Sequence, residues 1–130
     1  MAFKIYSVDD GRVPAWEYLP ATAITPKVGT ALTLSSGKLA LATGTTKPDY
    51  ISMIDCDAAL TAGDIIPVIR VQSDIIFETK STAALTDINI GDKVTIGSNA
   101  DGVTATTASG VAEVVYIDGK AIGDMVRVRF

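Results

Sequence analysis

The chain has 130 residues, 48% of them hydrophobic, and 11 Lys and Arg against 15 Asp and Glu give a net charge of −4. That length suits one domain with a real core, because a domain of this size buries roughly two-thirds of its unfolded surface. The absence of histidine and a lone cysteine, Cys56, exclude Ser-His and Cys-His nucleophile pairs, an internal disulfide framework and a multi-Cys metal site.

The cations are scattered along an acidic chain, which argues against a nucleic-acid partner, since phosphate binding needs clustered Lys and Arg. No apolar run approaches the roughly 20 residues that cross a bilayer as a helix, so no membrane partner is expected. The first residues turn acidic at Asp9 and Asp10 before a signal-peptide core can form. A soluble protein of a reducing cytoplasm is the expectation. Fourteen Ile, 12 Val and 15 Thr against 7 Leu favour strands, with 17 Ala the one contrary count.

In chain order, FKIYSV (3–8) reads as a strand and DDGR (9–12) as a turn. Residues 13–29 carry Pro14, Pro20 and Pro26 with Trp16 and Tyr18 between them. Proline removes a donor and disfavours helix in the residue before it, so residues 1–28 are expected to be an extended N-terminal arm ahead of a β-rich domain over 29–130. TALTLSSGKLALAT (30–43) reads as a hairpin about Ser36-Gly37, with Leu32, Leu34, Leu39 and Leu41 as its apolar positions. A loop follows over 44–49, then strands over 50–55 and 64–72, and Pro67 predicts an edge or a bulge for the latter. Another strand covers 75–79. The stretches 92–98 and 103–107 flank Asp101-Gly102, and 111–118 and 124–130 flank Asp118-Gly119, both read as hairpin turns. The sum is an all-β chain of nine to eleven short strands, a sandwich or small barrel with no long helix.

Gly63-Asp64, Gly91-Asp92 and Gly123-Asp124 each precede an apolar alternation, and Gly29-Thr30 resembles a fourth. An internal repeat is one reading. The favoured one is shared turn chemistry, with Gly at positive φ and Asp bonding its own backbone two residues on.

Signals for enzyme chemistry are weak. Asp55 and Asp57 lack the further oxygen ligand and glycine of a calcium loop, and Ala58, Ala59 and Leu60 follow instead. Cys56 has no histidine to serve as its base. No serine sits in a G-x-S-x-G elbow, and residues 97–102 lack the Gly-Lys-Ser/Thr ending of a phosphate loop. No catalytic residue, cofactor, metal or small-molecule substrate is expected.

The candidate contact residues are Trp16, Tyr18, Leu19, Pro20, Arg127 and Arg129. In an extended strand Trp16 and Tyr18 point the same way, either as an anchor on another subunit or as a plug for this chain's own barrel. Arg127 and Arg129 alternate with Val126, Val128 and Phe130. They either face solvent and discourage edge pairing or meet carboxylates of a neighbouring chain.

Two long stretches also carry a resemblance. Residues 15–53, with an aromatic-proline start, the Gly-x-Ala-Leu-x-Leu…Gly-Lys-Leu hairpin and Lys-Pro-x-Tyr-Ile-Ser, resemble the front half of small head decoration, or cement, proteins of tailed bacteriophages. Residues 75–130, closing on Gly-Asp-x-Val, are similar to their back half. The resemblance implies a β-rich, non-enzymatic homotrimer on the outer surface of the capsid, made in the host cytoplasm. There it would bind the major capsid protein and stabilise the expanded shell. The rivals are another virion or surface structural module (a tail, fibre or adhesin domain), an intersubunit-site enzyme, and a small-ligand barrel.

Overall fold

The computed structural model describes residues 2–130, so the first residue of the 1–28 segment lies outside the described residues. Eleven strands run through it: β1 (Lys4–Val8), β2 (Glu17–Pro20), β3 (Ala31–Ser35), β4 (Lys38–Leu41), β5 (Tyr50–Ser52), β6 (Ile65–Arg70), β7 (Ile75–Ser81), β8 (Lys93–Val94), β9 (Gly102–Val103), β10 (Ala112–Ile117) and β11 (Met125–Arg129). There is no helix among the described residues.

They form two sheets, packed as a sandwich. The larger has the order β1-β7-β11-β10-β8, with β9 also on β7, and the smaller has the order β2-β6-β5-β3-β4. Every pairing is antiparallel except β7 with β9. The smaller sheet curls until Ala21 and Leu39 meet in a single parallel bridge, which leaves it short of a closed barrel.

Two cores follow from the alternation of side chains. Inside the curl, Ala21, Leu32, Leu39, Tyr50, Ile66 and Val68 pack together. Register places Ala31, Ile51 and Ile69 on the opposite, outer face of the same sheet. There they join the main core between the sheets with Phe77, Val94, Val114, Val126 and Val128. All three phenylalanines of the chain meet in that core. Phe3 lies 6.5 Å from Phe77 and 5.3 Å from Phe130 between ring centroids.

The segment read as an arm is extended, but it is paired within this chain. β1 lies on β7 and β2 on β6, and Phe3 and Ala21 are buried. Pro67 lies in an interior strand, between β2 and β5, rather than at an edge. A residue's N–H and C=O point to the same side of a strand, and the Pro67 carbonyl accepts from Met53, one residue past the end of β5. The donor that proline lacks would therefore fall beyond the ladder, which removes the usual penalty.

The Ser36-Gly37 hairpin forms as read, with φ of 49° and 78° at its two central residues and Leu32 opposite Leu41. The chain does double back at both Asp-Gly sites, with β10 pairing β11 and Ile96 bridging Val103, but neither tight turn lies at the Asp-Gly pair. The first bend turns at Ala100, whose φ is 57°, whereas Gly102 lies where a Cβ would come within 2.7 Å of the Lys80 carbonyl oxygen. Glycine there lets β9 approach β7. Gly119 has a similar duty, because a Cβ would stand 2.2 Å from Asp124 Oδ2.

The Gly-Asp spelling is turn chemistry. At 61–64, 89–92 and 121–124 the aspartate N–H donates to the carbonyl three residues back, at 2.9, 3.1 and 3.1 Å. Its carboxylate accepts the N–H of that same residue, at 2.9, 2.9 and 3.0 Å. The bond thus runs backwards, to the third preceding residue, and not forward by two. Glycine occupies the third position with φ of 99°, 97° and 87°, as a type II turn requires. Lys27-Val28-Gly29-Thr30 repeats the pattern, with the Thr30 hydroxyl accepting from Lys27 at 2.9 Å. Each glycine N–H also reaches outside its turn, to Ala21, Val114, Ser81 and Ser52 in order of the four turns named.

Asp64→Ala, Asp92→Ala and Asp124→Ala should each cost about 1–2 kcal/mol, and the Asn variants less, since one backbone bond is lost or weakened. Thermal denaturation of the three checks this. Unchanged midpoints in all of them would mean that glycine alone sets the turns.

Candidate functional site

Glu17, Tyr18, Leu19 and Pro20 of β2 stand opposite Val68, Pro67, Ile66 and Ile65 of β6. Alternation then sends Leu19 inward, where it packs on the inner core of the curled sheet. Tyr18 and Pro20 point outward beside Pro67 and Ile65. This is the same outer face that buries Ala31, Ile51 and Ile69 under the larger sheet, but at β2 it carries no such cover. Tyr18 is 64% exposed, Ile65 65% and Trp16 53%. The rings therefore do not plug this chain's interior. Tyr18 and Ile65 form an aromatic and aliphatic surface on a paired strand, with Pro20 and Pro67 half-buried beside them and Trp16 exposed just ahead of β2.

The end of β2 is fixed by charge. Arg70 donates from Nε and Nη2 to the Glu17 carboxylate at 3.2 and 3.0 Å, and its guanidinium lies 5.1 Å from the Tyr50 ring centroid. The Glu17 hydrogen bond, then Tyr50, raises the Arg70 pKa above its already high ordinary value, so this clamp keeps its cation. Proline at 20 and 67 and the clamp at 17 hold the strand bearing Tyr18 in one geometry. A rigid aromatic surface loses little entropy when a partner covers it.

Arg127 and Arg129 occupy a second surface, the outer face of the larger sheet. β11 is interior, between β7 and β10, so edge protection is not their role. Both are paired within the chain: Arg127 Nε donates to Glu78 at 3.2 Å, and Arg129 Nη2 to Glu113 at 3.1 Å. Arg127 is also held between two rings, 3.6 Å from the centroid of Tyr6 and 4.6 Å from that of Tyr116. Partly exposed cation–π contacts of this kind are worth roughly 0.5–1 kcal/mol, and this one ties β1 and β10 to β11. Tyr6 escaped notice in the sequence because it lies far from Arg127 along the chain, and Tyr116 because the register of its hairpin was not fixed by the sequence. The signal that could have found them is an aromatic residue on the polar phase of each strand.

The remaining candidates have local duties. Asp55 Oδ1 accepts the Val28 N–H at 2.7 Å, and Asp57 lies 3.5 Å from Lys27 Nζ. Asp10 accepts the Arg12 N–H at 2.9 Å, closing the turn at 9–12. Cys56 is half-buried and free. No helix of the described residues is long and apolar enough to cross a membrane.

Comparison with known proteins adds no relative to this geometry: neither a scan against protein-family models nor a search of the curated proteins finds a match to the chain.

Proposed function

We propose that this chain is a structural virion protein that binds the outer surface of a tailed-bacteriophage capsid as a homotrimer and stabilises the expanded shell. The observation that carries the reading is the uncovered face of β2 and β6, where Tyr18 and Ile65 are each more than half exposed, with Trp16, equally exposed, just ahead of β2. The likeness of 15–53 and 75–130 to head decoration proteins supplies the class of partner, the major capsid protein. Trp and Tyr dominate binding energy at protein interfaces because they carry large apolar area on few rotatable bonds. Leu19 and Pro20 shape this face from beneath and beside it. Arg127 and Arg129, already paired to carboxylates of their own chain, are the lesser contributors.

The mechanism is mass action. A protein that binds only the expanded lattice stabilises that lattice by its binding free energy, and three linked contacts add avidity without any single strong bond. No covalent step is involved. The acidic chain has its place on the outside of the shell, away from packaged DNA, after synthesis in the host cytoplasm.

Purified protein should scatter light as a trimer at micromolar concentration and co-sediment with empty heads. A monomer would remove the trimer. A self-associating protein with no affinity for heads would favour a tail, fibre or adhesin module instead.

A further inference from the structure

On the larger sheet's flank, the loop over 44–49, β8 and the end of β11 line an open cleft of about 530 Å³. Lys47, Lys93 and Arg129 line it from these three separate places, with Ser73 beside them and Glu113 as the one acidic side chain. In a chain of net charge −4, three of the 11 Lys and Arg thus converge on one concavity. Arg129 spends Nε and Nη2 on a single oxygen, Glu113 Oε1, at 3.2 and 3.1 Å. Lys47 and Lys93 form no ion pair or hydrogen bond among the described residues. Glu113 stands opposite Lys93 across β8 and β10, so three cations face one acidic side chain, and a concave site concentrates the net positive field that remains.

We propose that this cleft binds a carboxylate-rich segment of a protein partner. Charge complementarity names the ligand: the Lys47 and Lys93 ammonium groups and the Ser73 hydroxyl offer donors, and Glu113, which Arg129 holds, is the one acidic side chain among them. An acidic peptide is favoured over nucleic acid because the positive region is one cleft and not a stripe. A polyphosphate extending beyond it would meet a chain of net charge −4, whereas a short run of Asp or Glu ends where the lysines end. This inference stands apart from the capsid reading, since any partner with such a segment fits it.

The test is fluorescence anisotropy of a dye-labelled hexaglutamate peptide titrated with the full chain at low and at physiological salt. Binding should be measurable at low salt and weaken as salt rises. Lys47→Gln with Lys93→Gln should weaken it roughly fivefold to tenfold, the size expected for two exposed charge contacts. A control pair on other strands, Lys4→Gln with Lys38→Gln, should change it less than about twofold, within the spread of a distant surface charge. All four lysines are exposed, so the variants keep the fold. No binding by the unaltered chain would overturn the proposal, as would an equal loss in the control pair. Oligothymidylate of the same charge binding as tightly as the peptide would overturn it in favour of nucleic acid.

Discussion

Replacing Phe77 by alanine is expected to cost about 3–5 kcal/mol and to lower the thermal midpoint by roughly 10–20 °C. Phe77 is fully buried at the centre of β7, the strand that pairs with β1 and β11 and, at its far end, with β9. Its ring meets Phe3 edge-on at 86° and Phe130 at 5.7 Å and 50°. Phe3 and Phe130 come from opposite ends of the described chain, and Phe77 packs both rings against the middle of the sheet. Alanine leaves a cavity that neither neighbouring ring can fill without leaving its own packing. Phe77→Leu should recover more than half of the loss. Urea titration of both variants measures this, and a loss below about 1.5 kcal/mol for alanine would show that the core collapses around the gap.

The second large effect is on binding and leaves the fold in place. Trp16→Ala with Tyr18→Ala should reduce affinity for heads by roughly thirtyfold or more per ring, while stability changes by less than about 1 kcal/mol. About 100 Å² of each ring remains available to a partner, which at ~25 cal/mol/Å² is some 2–3 kcal/mol per side chain. Neither ring belongs to either buried core. Substitution is the right instrument here. Deleting residues 1–28 would remove β1, β2 and Phe3 together, and lost binding would then report unfolding. Leu19→Ala serves as the contrast: an inward residue of the same strand should cost stability first. Affinity unchanged in the Trp16 and Tyr18 double variant would place the contact elsewhere.

Much of the fold was legible in local pattern. The alternation of Leu32, Leu34, Leu39 and Leu41 about Ser36-Gly37 fixes a hairpin without distant help, and each Gly-Asp turn is closed by atoms within four residues. What local pattern does not contain is the identity of the neighbour across a ladder. Period 2 says that Tyr18 and Leu19 face opposite ways but not which face the second sheet will cover. The reading of 1–28 as an arm failed to see β6 as the partner of β2 for that reason. Pro67 misled because a missing N–H matters only where a partner carbonyl waits, and β5 ends before reaching it. The Asp-Gly pairs misled for a different reason. Gly102 and Gly119 are glycines for close approach, and the bends lie at Ala100 and at 121–124. At the candidate site, Trp16 and Tyr18 were found from residue type and spacing, whereas Ile65 and Pro67 beside them depend on a long-range pairing.

Occupancy of expanded and unexpanded empty heads, measured side by side with the same protein at the same concentration, bears most directly on the proposal of a shell-binding protein. Saturable binding to expanded heads and at least tenfold weaker binding to unexpanded ones is the predicted result, because stabilisation requires a difference in affinity between the two states. Equal occupancy of both would contradict stabilisation of the expanded state, and failure to bind either would contradict shell binding altogether.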